Sequence, residues 1–343
     1  MKISSLYSVL TASILACLLH PTLVKSQEDS EGCSKESGTC RSYTILGKPE
    51  EFVDGTQPGV KLAVRRWIPA DPKAVILFAH GGAGFHSGYS EIMGAFQQEA
   101  GVAVVAFDSM GNGYSTGVDG LRNYFPSMPA LTEEYSTMLR RVKEEYPGKK
   151  VFAMGESFGG NILANQILEE QQKGEDGILA DGYILTGPVI KLLPEMLPPV
   201  FVIKILNFLS RFFPLVKMPA TDFFSTFDLA FGDKGWAKAG HADPFVKEAA
   251  GNPPRLAMAA SILTSMDDLY SRLNEVQVPF KIFMGENEQR VDTDAIHHFF
   301  KVASSEDKAL EIVDGAYHQL FQDLPEVTEK VNGGVRDWVL ERA

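Results

Sequence analysis

The chain has 343 residues, 45% apolar and 22% charged, a globular balance that excludes a collagen-like repeat, a coiled coil or a disordered tract. A net charge of −12 at pH 7 argues against a nucleic-acid partner, since binding polyphosphate requires clustered Lys and Arg to displace counterions. The length accommodates one large α/β domain with an insertion, and neutral or apolar small molecules are the partners that fit.

Residues 1–26 read as a signal peptide: Lys2 supplies the positive start, residues 6–19 the apolar stretch, and Val24-Lys25-Ser26 a small-residue cleavage site. An uncleaved membrane anchor is the alternative, but a stretch diluted by Ser8, Thr11 and Ser13 falls short of the roughly 20 apolar residues a bilayer needs. Secretion is therefore expected, and loss of Lys2 and Lys25 takes the charge from −12 to −14. Cys17 leaves with the signal, so Cys33 and Cys40 remain as an even pair in the polar segment 27–58. In an oxidising compartment they are expected to form a small disulfide loop.

From Val60 onward, β-branched runs alternate with helical patterns, which predicts a mostly parallel sheet flanked by helices. Strands are expected at 61–67, 74–79, 102–107, 150–154, 182–186, 280–284 and 310–313, with helices at 91–100, 129–145, 161–172, 254–273, 294–303 and 325–340. The stretch between the strands ending at Thr186 and starting at Phe280 is far longer than one crossover needs. This defines a core of 59–187 and 277–343 interrupted by a mainly helical cap at 188–276. In the cap, Lys204, Asn207 and Arg211 fall at i, i+3 and i+7 among Val, Leu, Ile and Phe, making a helix with one narrow polar stripe. Its apolar residues, including Phe201, Phe208 and Phe212, are expected to line an acyl pocket or lie on lipid. A transmembrane span is excluded, because Lys204 and Arg211 would sit in hydrocarbon.

The chemistry centres on Gly155-Glu156-Ser157-Phe158-Gly159-Gly160, between a predicted strand and a predicted helix. In that context Gly-x-Ser-x-Gly places the serine on a sharp turn, where glycines on either side avoid Cβ clashes and the hydroxyl projects outward. A serine hydroxyl needs a base, and the base needs an acid to set its tautomer. His318 follows the last strand at the same sheet edge, whereas His20 leaves with the signal, His80 and His86 precede the serine, His241 lies in the insertion, and His297 and His298 sit on a predicted surface helix without acidic partners at ligand spacing. No metal site is expected. The acid comes from the loop after 280–284, with Glu288 the first choice and Asp292 the second. Ser157, Glu288, His318 is the chain order of α/β hydrolases. Backbone N–H groups of Gly82 and Phe158 are the expected oxyanion donors. A dinucleotide-binding alternative for the glycine loop fails on spacing, because Gly82-x-Gly84-x-x-x-Gly88 has one residue too many.

Four segments together resemble the monoacylglycerol lipase and lysophospholipase group of α/β-hydrolase serine hydrolases: 80–89 beginning His80-Gly81-Gly82, 107–115 containing Gly111-Asn112-Gly113-Tyr114-Ser115, 155–160, and Gly315-Ala316-Tyr317-His318. The resemblance runs from about Gly59 to the end of the chain. It implies an α/β-hydrolase fold and two-step hydrolysis of a small lipid ester through an acyl-enzyme, without a cofactor. A serine aminopeptidase of the same fold, requiring an acidic anchor for a free amine, and a catalytically silent binding protein are the alternatives. Three departures stand out: Glu288 where the group usually has Asp, one extra residue around Gly82-Ala83, and Met110 and Asn112 where Arg and His are common.

Overall fold

The computed structural model describes residues 43–174, 177–194, 197–218 and 223–343. The expected signal peptide and the Cys33–Cys40 pair lie outside these residues. Strands β1 (Glu51–Asp54), β2 (Lys61–Trp67), β3 (Ala74–Ala79), β4 (Val102–Phe107), β5 (Lys150–Glu156), β6 (Gly182–Thr186), β7 (Phe280–Gly285) and β8 (Lys308–Val313) form one sheet in the order β1-β2-β4-β3-β5-β6-β7-β8. β1 and β2, and β2 and β4, pair antiparallel; the remaining pairs are parallel.

The helices of the core are α1 (Glu91–Glu99), α2 (Met128–Glu145) and α3 (Phe158–Gln172), followed after the insertion by α8 (Thr293–Val302) and α9 (Pro325–Leu340). The insertion contributes α4 (Val200–Ser210), α5 (Lys234–Ala242), α6 (Pro244–Gly251) and α7 (Leu256–Arg272). Period-2 alternation sends Val75 and Leu77 of β3 to one face, where they join Tyr135, Ile162, Leu269 and Ile296. Ile76 and Phe78 go to the other, joining Met93, Val331 and Trp338. Central strands apolar on both faces are what a sheet covered on both sides requires.

The helix starts follow local chemistry. Ser127 accepts the Ala130 N–H at 3.3 Å as N-cap of α2, with Pro129 in the first turn. β1 is the one strand sequence periodicity did not anticipate. Its four residues, Glu51-Phe52-Val53-Asp54, are half polar, and it is defined only by pairing with β2. The sheet therefore takes in an edge strand from before Gly59, the expected start of the core.

The cap is held to the core by a separate aromatic cluster in which Phe85 and Tyr89, from the loop after β3, pack with Phe227, Phe231, Trp236 and Val246. Beneath it, buried His86 accepts the Gly88 N–H on Nδ1 at 3.0 Å, leaving Nε2 to donate to Asp243 at 3.2 Å. α4 contrasts with all of this, because none of its residues is buried. Among the described residues no helix is long and apolar enough to cross a membrane.

Candidate active site

β5 runs directly into Ser157, which adopts φ 53°, ψ −114° before α3 begins. A non-glycine residue in this region costs on the order of 1–3 kcal/mol, so its surroundings must enforce it. A Cβ on Gly155 would stand 2.6 Å from the Gly159 carbonyl carbon, and one on Gly159 would stand 2.2 Å from the Ala79 carbonyl oxygen. Only glycine permits β3, β5 and α3 to approach so closely. The Ser157 N–H donates to the Thr186 carbonyl at 2.8 Å, anchoring the turn to β6.

The structure brings three of the expected residues into one chain of hydrogen bonds. His318 Nε2 lies 2.9 Å from Ser157 Oγ, and His318 Nδ1 lies 2.6 Å from Glu288 Oε2. The longer reach of glutamate therefore serves where the resembling group usually has aspartate. Backbone bonds tie the acid loop to its neighbours: Glu286 N–H donates to Val313 at 3.0 Å and Asn287 N–H to Ala316 at 2.9 Å. Burial pushes the Glu288 carboxyl up, but the charge and hydrogen bond of His318, with the N–H groups of Arg290 and Val291, more than offset it and hold the group below its ordinary range. An ionised Glu288 accepts a hydrogen bond from Nδ1–H and so fixes the tautomer, leaving Nε2 to accept from the serine hydroxyl.

Asp292, the second candidate acid, goes elsewhere. Its carboxylate accepts the Ala295 N–H at 3.1 Å as N-cap of α8, so it is a helix cap. Two of the other histidines are similarly occupied. His241 pairs with Asp228 at 2.7 Å, and His298 stacks on Tyr270 at 5.0 Å between ring centres.

Gly82 and Phe158 flank the serine, and a Cβ on Gly82 would stand 3.4 Å from that of Phe158. Phe158 is the first residue of α3, where the N–H has no partner within the helix. His80 holds the Gly82 loop in place: its Nδ1–H donates to the Gly81 carbonyl at 2.7 Å, and its Nε2 accepts the Ser109 N–H at 3.0 Å. Burial keeps its pKa below the usual range, so the ring is a neutral clamp. The position of His80 before the serine concealed this role in the sequence.

A further buried contact links the serine turn to the histidine loop. With its side-chain amide donating, Gln319 lies 3.0 and 3.2 Å from the two oxygens of Glu156. Burial pushes the Glu156 carboxyl up to about 8.

Ser157 and His318 open onto a cavity of about 360 Å³ walled largely by apolar side chains, among them Leu131, Ile162, Met258, Ile262 and Met266. The pocket wall supplied by the insertion thus comes from α7, the end of α6 and the segment between them, together with Val189, Leu192, Phe227 and Ala230. Phe201, Phe208 and Phe212 do not line the cavity; they are 62%, 59% and 64% exposed. The expectation that they form an acyl pocket is corrected accordingly. An apolar pattern records avoidance of water and cannot say which surface replaces it.

A family model described as "Serine aminopeptidase, S33" matches residues 70–325. Human monoglyceride lipase is 28% identical over 287 residues, covering 83% of this chain and 88% of the relative. Monoacylglycerol lipase of Mycolicibacterium smegmatis is 25% identical, covering 82% and 94%. Among solved structures, Paleococcus ferrophilus monoacylglycerol lipase superimposes with TM-score 0.67 at 22% identity, covering 82% of this chain and 99% of that one. A soluble variant of Saccharomyces cerevisiae monoglyceride lipase in complex with a substrate analogue gives 0.71 at 18% identity, covering 88% and 97%. With the sheet order, the serine turn and a match over most of its length, the chain belongs to this serine aminopeptidase S33 family and is an α/β hydrolase of the monoacylglycerol lipase group.

Proposed function

We propose that the protein is a secreted serine hydrolase cleaving the carboxylic ester of a small lipid, a monoacylglycerol or lysophospholipid, through an acyl-enzyme on Ser157. The observation that carries this is the Ser157–His318–Glu288 chain, at 2.9 and 2.6 Å, opening onto a largely apolar cavity. His318 takes the hydroxyl proton as Oγ attacks the ester carbonyl, and Glu288 stabilises the imidazolium that results. The N–H groups of Gly82 and Phe158 receive the oxyanion. Collapse of the tetrahedral adduct breaks the ester bond, with the alcohol leaving as it takes the proton from His318. Water, deprotonated by the same imidazole, then releases the fatty acid and restores Ser157. Secretion rests on the pattern of residues 1–26.

The outward apolar surface of α4 and the turn that follows it supports contact with a lipid surface: Phe201, Phe208 and Phe212 are all exposed there, while Lys204 and Arg211 supply cationic groups for anionic headgroups. The family description raises the aminopeptidase alternative. That reaction needs a carboxylate to hold the substrate ammonium, yet none of the described residues lining the cavity is Asp or Glu.

A fluorophosphonate probe should label Ser157. Long-chain monoglycerides should be hydrolysed up to about 15-fold faster, in kcat/KM, for each added carbon pair until the cavity fills, since each fully buried methylene contributes about 0.8 kcal/mol. Preference for aminoacyl amides or acetyl esters over long-chain esters would refute the lipid-ester assignment.

A further inference from the structure

His318 must return across the sheet to meet Ser157. Its loop follows β8 at the sheet edge, whereas the serine follows β5, with β6 and β7 between them. That is three strand spacings, or about 14 Å. Strand pairing fixes Ser157, but a loop that has left the sheet is held only by bonds made at its own residues. The Tyr317 N–H donates to Asp323 Oδ2 at 2.8 Å, closing the loop on itself, and the Gln319 N–H donates to the Ala230 carbonyl of the insertion at 2.8 Å. Neither bond reaches β5.

The side chain of Gln319 does reach it. Gln319 follows His318, and Glu156, the last residue of β5, precedes Ser157. With its amide donating, Gln319 lies 3.0 and 3.2 Å from the two carboxyl oxygens of Glu156, and both residues are 2% exposed. The same amide nitrogen lies 3.1 Å from Gln322 Oε1, and Gln322 donates to the Tyr89 carbonyl at 2.8 Å. Both amide hydrogens of Gln319 thus have acceptors, and a buried polar link satisfied in this way holds its ends rigidly. One accepting oxygen on Glu156 suffices, and a carboxylate and a carboxylic acid both present one. Glu156 does not line the cavity onto which Ser157 and His318 open, so a change there removes no contact with substrate. We propose that Glu156 and Gln319 are positioning residues whose buried bridge moors the histidine loop to the serine strand and sets the imidazole against the hydroxyl. The inference rests on the ester-hydrolase assignment above and adds to it what aligns the base with the nucleophile.

A double-mutant cycle tests it, with Glu156→Leu, Gln319→Leu, the two combined, and Glu156→Gln as the conservative variant. Each is assayed on 1-oleoylglycerol for kcat and KM, and with a fluorophosphonate for the rate at which Ser157 is labelled. Glu156→Leu should lower kcat and the labelling rate together by about 10- to 100-fold, the effect of a reacting group displaced by up to about 1 Å, with KM within about twofold of wild type. Glu156→Gln keeps an oxygen that accepts from Gln319 and should stay within about threefold of wild type on both measures. The combined variant should lose no more than the worse single one, because each substitution breaks the same bridge. Losses that multiply in the combined variant, a Glu156→Leu protein with wild-type turnover, or a Glu156→Gln protein as impaired as Glu156→Leu would each overturn the inference. Should Glu156→Leu leave the buried Gln319 amide unpaired and fail to fold, the combined variant takes its place, and wild-type turnover there is equally decisive. A wild type that neither hydrolyses the ester nor reacts with the fluorophosphonate would instead overturn the ester-hydrolase assignment.

Discussion

The turn carrying Ser157 and the helix Val200–Ser210 answer to different constraints. At the turn, Gly155 and Gly159 sit where a Cβ would meet backbone at 2.6 and 2.2 Å, so residue type follows from geometry. On α4 no residue is buried, and Val200, Phe201, Ile205 and Phe208 are exposed without a steric reason to be those residues. A substitution in the first region changes the path of the chain. In the second it changes only what the surface adheres to. Sequence motifs are therefore informative where neighbouring backbone leaves no alternative, and apolar patches are informative about environment but not about partner.

The largest effect should come from the constrained region. Ser157→Ala should lower turnover by about 10⁴-fold or more with the fold retained, and His318→Ala by a similar factor, because the two act as a unit. A Ser157→Ala protein retaining a tenth of wild-type esterase activity would remove the nucleophile from the comparison. Next come the two acids. Glu288→Gln should reduce turnover by about 10²- to 10⁴-fold by depriving the imidazole of its anion. Asp292→Asn should leave turnover within a few-fold, and Asp292→Ala should lower stability by about 1 kcal/mol as a lost helix cap. The reverse ranking in steady-state assays would transfer the acid role to Asp292.

The outward helix predicts smaller and more selective losses. Phe208 and Phe212 form an exposed ring pair 5.3 Å apart. Replacing both with Ser should weaken binding to anionic lipid vesicles by at least about fivefold, with unfolding free energy within about 0.5 kcal/mol of wild type. A loss of stability of several kcal/mol would make α4 an ordinary core element. The last effect is on stability rather than on activity or binding, and concerns pH at the serine turn. Glu156 titrates near 8 when folded against an ordinary 4.5, so between these values the folded chain holds a proton that the unfolded chain has released. Stability should therefore fall as pH rises through that window and level off above about 8. Glu156→Gln should remove about 1.4 kcal/mol per pH unit of that slope. Urea unfolding at pH 5, 6.5 and 8 measures it, and an unchanged slope would place the Glu156 proton elsewhere.

Much of the architecture was legible because central strands in a covered parallel sheet read as short apolar runs, and because Gly-x-Ser-x-Gly lies between a strand and a helix. Ser157 and His318 followed from motif, chain order and strand ends. Glu288 and Asp292 remained ranked alternatives, four residues apart on one loop. β1 escaped notice because it has four residues and exists only through pairing with β2.

By itself the sequence determined the alternation of strands and helices, the serine turn, and the presence of an apolar insertion. These depend on local periodicity and on steric limits that act within a few residues. Tertiary structure decided which carboxylate reaches His318, since the paths of β7 and β8 aim Glu288 at the imidazole and leave Asp292 to start α8. It also decided that α7 walls the cavity while the Phe-rich face of α4 turns outward. Those outcomes depend on contacts between residues far apart in the chain, whose distances no local pattern encodes.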